Sequence, residues 1–192
     1  MKFPNLYGDR INLMDLTEIG EKGLKDMFEY SQDCSFYKYM EYEPHQSIEE
    51  TRQYLNKLIK RSKSDTAHYW FIFLKSEKKI IGTFGVLNID KRKGCAEIGY
   101  GLSSSYWGRG YFYEALVMVL KLLFLDFSFH RVSAITQIDN LASIKALKKI
   151  GFKKEGTMRD FYLSYKDKHR YDAVIMSILK YEFLQKFSKR AT

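Results

Sequence analysis

The hexapeptide Tyr106-Trp107-Gly108-Arg109-Gly110-Tyr111 combines residue types at a spacing that suits anion chemistry. Just before it, residues 95–102 read as a strand. Just after it, Phe112, Ala115, Leu116, Val119, Leu123 and Phe127 recur at three- and four-residue steps, the apolar stripe of an amphipathic helix. Where a loop enters a helix, the first backbone N–H groups lack intrahelical partners and the helix dipole is positive. Gly108 and Gly110 let the chain turn and let an anion approach the backbone. Arg109 adds a cation, so the junction reads as a phosphate cradle. A glycine turn before a helix is structural more often than not, so this feature needs company before it carries a function.

Two nucleotide-binding loops can be excluded. The Walker pattern needs Gly-Lys-Ser/Thr, which is absent. The dinucleotide fingerprint needs a third glycine where this chain has Tyr113, and it opens a parallel sheet, whereas the strands before this loop read as antiparallel.

The elements that must position the loop follow from hydrophobic pattern and punctuation. Residues 10–15 alternate polar and apolar as a first strand. Thr17 reads as the N-cap of a helix reaching about Tyr30, weakened by Gly20 and Gly23. A tyrosine-rich loop follows over residues 36–44, and Ser47-Ile48-Glu49-Glu50 is a capping box for a helix to about Lys60. Residues 69–74, 80–87 and 95–102 read as three strands separated by the polar turns 76–79 and 90–94, an antiparallel meander. After the helix that begins near Tyr111 comes a strand at 131–136. Asp139 and Asn140 then cap a helix carrying Ile144, Leu147 and Ile150 inward, and Gly151 suits its left-handed stop. Residues 152–158 and 172–179 read as closing strands, with a short amphipathic tail after them. Strand–helix–strand in the second half makes a parallel pair, so the whole is a mixed α+β sheet.

Length and composition bound the reading further. The 192 residues suit one domain, 1–192, with two prolines, no repeat and no low-complexity linker. The longest apolar stretch, about 115–127, is broken by Lys121 and Asp126 and falls short of a membrane span, and the N-terminus lacks a signal-peptide run. No membrane partner and a cytoplasmic location are therefore expected. Cys34 and Cys95 form no CxxC pair and read as free thiols, and the four histidines are scattered, so no metal site is expected. A net charge of +9 suits an anionic ligand as well as a merely solvated surface, and it does not choose between them.

With these elements in place, the sequence resembles the GNAT acetyltransferases. Glu97-Ile98-Gly99-Tyr100 with Tyr106-Trp107-Gly108-Arg109-Gly110-Tyr111 and Glu114-Ala115 is similar to that family's motif A. Asp139-Asn140-Leu141-Ala142-Ser143 with residues 147–152 is similar to its motif B. Residues 155–160 and Tyr171-Asp172 resemble the branch that acetylates ribosomal-protein N-termini, the Rim-type branch. The general family loop opens with Gln or Arg where this chain has Ser105, a departure that the Rim-type branch tolerates. The resemblance covers roughly residues 10–182. It implies a GNAT fold with about seven strands and about four helices.

The resemblance also implies a reaction and a set of roles. Acetyl-CoA would lie where the strand ending near Leu102 splays from the strand ending near Thr136, with Trp107, Gly108, Arg109, Gly110 and Tyr111 on its pyrophosphate. A backbone N–H near Tyr100 would polarise the thioester and stabilise the oxyanion of the tetrahedral intermediate. A primary amine would attack directly after losing a proton to a base or a water. Glu97 is the candidate base, or a surface carboxylate near Lys93. Asn140 would bind the pantetheine arm, serve as a helix cap, or do both. Ser143 matches a serine near the CoA sulfur that could protonate the leaving thiolate; otherwise it is a helix-surface serine. Tyr162 stands where some relatives carry an acidic base and cannot serve as one at neutral pH. Lys145 or Lys148 would meet the 3′-phosphate, or simply be solvated. Phe36, Tyr37, Tyr39 and Tyr42 lie in the loop that walls the acceptor site in this family, although aromatic residues there also suit core packing.

The implied acceptor is a peptide N-terminus, a ribosomal protein being the family precedent, or a small amine or amino sugar. The +9 charge argues mildly against a polycationic acceptor unless one local acidic pocket overturns it. Relatives that dimerise do so through the last strands or the C-terminal tail, so a homodimer is compatible. A non-catalytic CoA-binding or RNA-docking module on the same fold is the competing reading. Intact motifs A and B favour catalysis, and the absence of an RNP-type motif argues against specific nucleic-acid recognition.

Overall fold

A computed structural model describes residues 2–164 and 166–188. Its eight strands are β1 (Leu6–Tyr7), β2 (Ile11–Asp15), β3 (His68–Leu74), β4 (Lys79–Asp90), β5 (Cys95–Leu102), β6 (Arg131–Gln137), β7 (Lys153–Leu163) and β8 (Arg170–Leu179). The helices are α1 (Leu16–Ile19), α2 (Leu24–Ser31), α3 (Cys34–Tyr37), α4 (Ile48–Ser62), α5 (Tyr111–Lys121), α6 (Leu141–Ile150) and α7 (Lys180–Ser188). The strands form one sheet in the order β1-β2-β3-β4-β5-β6-β8-β7. Every neighbouring pair is antiparallel except β5–β6, which is the expected parallel pair.

The sheet is covered on both faces, which explains the nearly unbroken apolar run of β3. Trp70, Ile72 and Leu74 point into one core with Leu116, Val119 and Leu120 of α5, Leu147 of α6 and Phe183 of α7. Tyr69 and Phe71 point into the other, with Leu24 and Met27 of α2 and Leu55 and Leu58 of α4. No helix of the described residues is long and apolar enough to cross a membrane.

Several expectations need correction. The first helix is capped by Asp15, not Thr17: Asp15 Oδ1 accepts from the Thr17 N–H at 2.7 Å. Gly20, at φ +49°, then ends α1, and a 3₁₀ turn over Gly20–Gly23 leads into α2. The tyrosine-rich loop opens with the helical turn α3, because Asp33 accepts from the Ser35 N–H at 2.8 Å. Two-residue β1 brings the sheet to eight strands where about seven are implied, α1 and α3 are single turns, and the amphipathic tail forms α7, a fifth longer helix beside the roughly four implied. The closing strands β7 and β8 are longer than the apolar pattern indicated, since much of β7 is exposed and carries no hydrophobic signal.

The feature that positions the site is a split in the middle of the sheet. The β5–β6 ladder runs from Cys95↔Arg131 to Ile98↔Ala134 and stops there. Beyond it, β5 continues along β4 as far as Leu102↔Gly82, while β6 continues along β8 as far as Gln137↔Ala173. The two strands diverge, and their facing edges are no longer paired with each other.

Candidate active site

The loop after β5 leads from the split to the start of α5. A 3₁₀ turn, Ser104–Tyr106, is followed by Gly108 at φ +73° and Gly110 at φ +83°, both in the left-handed region that glycine enters without strain. Gly110 is the N-cap of α5 and supplies no side-chain cap, so the positive end of the helix lies open beside exposed residues 107–110. Trp107 is 46% exposed and donates from Nε1 to the Leu102 carbonyl at 2.7 Å, tying the loop to the end of β5. The Arg109 guanidinium lies 5.5 Å from the centre of the Tyr106 ring. Ser105, the departure from the general family loop, is exposed.

Arg10 holds this loop from below. Its Nη1 donates to the Arg109 carbonyl at 2.8 Å, its Nε to Glu114 Oε2 at 2.8 Å, and its guanidinium sits 4.7 Å from the centre of the Tyr111 ring. Glu114 Oε1 also accepts from the backbone N–H groups of Arg10 and Ile11. Burial, the largest single influence, acts to raise the Glu114 carboxyl, but these three hydrogen bonds to it and the Arg10 charge together hold it below the usual range. Sequence pattern singled out neither role, because the partners are about a hundred residues apart.

At the split, Tyr100 of β5 packs against Phe112 of α5, with ring centres 4.0 Å apart, and its hydroxyl lies 2.6 Å from Ser143 Oγ. Burial pushes the Tyr100 phenol up to about 12, against a smaller opposing effect of the Ser143 hydrogen bond. Ser143 is in the first turn of α6, where Asn140 Oδ1 accepts from its backbone N–H at 3.1 Å. Asn140 is therefore a helix cap, as one of its two readings required.

Glu97 lies on the opposite face of β5 from Tyr100, half-buried, and accepts from Asn88 Nδ2 at 3.2 Å. Burial raises its pKa, and the Asn88 hydrogen bond opposes that rise. Asn88 reaches it from a bulge where the β4–β5 register shifts between Leu87 and Asp90, at φ +47°, a conformation Asn tolerates better than most residues. Lys93, the alternative partner for Glu97, instead faces Asp90 at 3.6 Å. Tyr162 reaches from β7 to donate to the Ile135 carbonyl at 3.2 Å, at the point where β6 leaves β5. Its phenol is pushed upward first by burial, and the negative charges of Glu41 and Glu97 act in the same direction. Glu41 is fixed there by accepting from the Leu163 N–H at 3.1 Å.

The four aromatic candidates separate. Phe36 covers β5 itself: a Cβ on Gly101 would come within 2.5 Å of its ring, so the strand needs glycine at that point. Tyr37 is buried beside Phe36 and His45 and serves packing. Tyr39 and Tyr42 have their ring contacts with Lys38 and Tyr54 rather than with β5. Among the described residues no group of three or more His, Cys, Asp or Glu could hold a metal ion.

Residues 14–153 match the family described as Acetyltransferase (GNAT) domain. An uncharacterized N-acetyltransferase of Bacillus licheniformis, p20, is 31% identical over 179 residues, covering 93% of this chain and 97% of that protein. The ribosomal protein uS5-alanine N-acetyltransferase of Escherichia coli is 30% identical over 102 residues, 53% of each chain. In three dimensions the chain is similar to the spermidine N-acetyltransferase of Vibrio cholerae, solved with CoA and spermine, at a TM-score of 0.76 and 18% identity, covering 92% of this chain and 99% of that one. Motif, fold and relatives agree: the chain is an N-acetyltransferase and belongs to the GNAT acetyltransferase family.

Proposed function

We propose that the protein transfers an acetyl group from acetyl-CoA to a primary amine, by direct attack at the split between β5 and β6. The observation that carries this reading is the divergence of those strands after Ile98 and Ala134 beside the uncapped start of α5. The residues present fit acetyl-CoA. The exposed glycines and the helix N-terminus suit a pyrophosphate, and the unpaired edge of β5 near Tyr100 offers backbone donors to an acyl chain and its carbonyl oxygen. Bound there, acetyl-CoA supplies the activated acyl carbon.

The chain's own groups divide the remaining work. Gly108, Arg109, Gly110, Trp107 and Tyr111 hold the pyrophosphate, and the amide of Asn140 binds the pantetheine arm. Glu97, ionising later than an ordinary glutamate, accepts a proton from the attacking amine directly or through water. Ser143 donates toward the leaving sulfur. Glu41 and Glu97 give the mouth of the split a local negative charge within a chain of net charge +9, which suits an ammonium acceptor. Phe36 walls that mouth. The acceptor we favour is a peptide N-terminus, supported by the Rim-type motifs and by the likeness to the uS5-alanine enzyme over half the chain.

The test is thiol release from acetyl-CoA in the presence of an amine panel containing Ala-initiated peptides, polyamines and amino sugars. Acceleration by the peptides above the hydrolytic background is expected. CoA binding without acceleration by any amine would remove the catalytic assignment.

A further inference from the structure

The Tyr100–Ser143 contact has a consequence for the leaving group, given the acetyl-transfer reading above. The two hydroxyls, 2.6 Å apart, join β5 to α6, the helix that follows β6. Both are held rigidly. Tyr100 is packed against Phe112 and Phe84, with ring centres 4.0 and 5.9 Å away, and Ser143 is in a capped first turn. Both are largely enclosed, Ser143 to 9% exposure. A serine hydroxyl beside a departing thiolate can form a hydrogen bond, but it is a weak acid that needs its own proton replaced at once. Even with burial pushing it up to about 12, the Tyr100 phenol is a stronger acid than an alcohol.

We propose that Tyr100 is the proton source behind Ser143, a positioning residue that acts through the serine rather than on the substrate itself. When the carbon–sulfur bond breaks, the electron pair leaves with sulfur. The Ser143 O–H proton passes to that sulfur, and the Tyr100 O–H proton passes to Ser143 Oγ. The phenolate regains a proton from solvent as products depart. The amine's surplus protons leave separately through Glu97 or water, so protons and charge balance over the cycle.

Tyr100→Phe removes one oxygen and keeps the ring packing; Ser143→Ala removes the other half of the pair from a different element. The experiment measures kcat with the best amine of the panel, the proton inventory in mixed light and heavy water, and CoA affinity by calorimetry. Each single variant is expected to lose about tenfold or more in kcat. The double variant should be no worse than the poorer single one, since the pair acts as a unit. The curved inventory of the wild type should become linear in both, with CoA affinity within about twofold. Equal kcat in wild type and Tyr100→Phe, multiplying effects, or a loss that tracks CoA affinity overturns the relay alone. A wild-type enzyme that no amine accelerates overturns the acetyl-transfer reading, and the relay with it.

Discussion

Arg10 and Glu114 form an ion pair at 2.8 Å across 104 residues of sequence, and the same guanidinium holds the carbonyl of Arg109. Binding that carbonyl from below fixes the peptide between the two glycines of the loop. A ligand meets a shaped backbone rather than a mobile one, which lowers the entropic cost of binding. Arg10→Ala is expected to raise the KM for acetyl-CoA roughly tenfold, the equivalent of about one charge-assisted hydrogen bond, with little change in kcat. Arg10→Lys should recover only part of the loss, because an ammonium cannot reach both oxygens in the geometry of a planar fork. Initial-rate kinetics with acetyl-CoA varied at saturating amine check this, and an unchanged KM would detach Arg10 from cofactor binding.

The loop glycines make a graded prediction. A Cβ at Gly108 meets no atom within 4 Å, so Gly108→Ala carries only the left-handed backbone cost, about 1 kcal/mol. At Gly110 the added carbon also approaches Arg10 Nη2 at 3.3 Å, so Gly110→Ala should disturb the clamp as well. Calorimetric titration with CoA should rank affinity as wild type, then Gly108→Ala, then Gly110→Ala. Gly108→Val, whose branched side chain crowds a backbone-bound anion, should bind weakly. If Gly108→Val binds CoA as the wild type does, the pyrophosphate lies elsewhere.

Glu97 gives the reaction its expected pH dependence. A base must be ionised to work, and burial raises the point at which Glu97 ionises. The acid limb of kcat/KM should therefore fall above the ordinary glutamate range, with activity lost as pH drops through it. Glu97→Gln should lower kcat by about 10²-fold or more and abolish that limb while leaving CoA affinity intact. Asn88→Ala removes the hydrogen bond that opposes the rise and should shift the limb further up. A Glu97→Gln enzyme with the wild-type profile would take Glu97 out of the mechanism.

Local chemistry was legible in the sequence wherever one residue decides it. The bounds of β5 coincide with the expected 95–102, and Gly151, at φ +118°, closes α6 as a left-handed stop. Ser47 caps α4 by accepting from the Glu50 N–H at 3.2 Å, although the Glu50 carboxylate takes the Gln46 N–H rather than that of Ser47. What stayed hidden depends on tertiary partners. No period announces that the β5–β6 ladder stops after Ile98, since strand pairing depends on residues from two distant segments. The Arg10 clamp, the bulge at Asn88 and the approach of Glu41 to Leu163 are likewise long-range contacts between residues that look unremarkable in isolation. Of the aromatic loop, the composition was visible, but only packing separates Phe36 on β5 from Tyr37 in the core.

His68 sets a limit on acid stability that is independent of catalysis. It is 5% exposed, stacked on Phe3 at 4.6 Å, and its Nε2 has no hydrogen-bond partner among the described residues; Asp15 Oδ2 lies 3.9 Å away. Burial pushes its pKa from 6.5 down to about 4, with Asp15 opposing the fall. Between those values the unfolded chain binds a proton that the folded chain does not. The contribution is therefore fully present above the unfolded value and is lost as pH falls toward the folded one, on the order of 3 kcal/mol when complete. His68→Phe keeps an aromatic ring against Phe3 and Trp70 and removes the titration. Urea unfolding of both proteins from pH 7 to pH 4.5 should give a steeper loss of stability in the wild type. Parallel curves for the two proteins would show that His68 is protonated alike in the folded and unfolded chains.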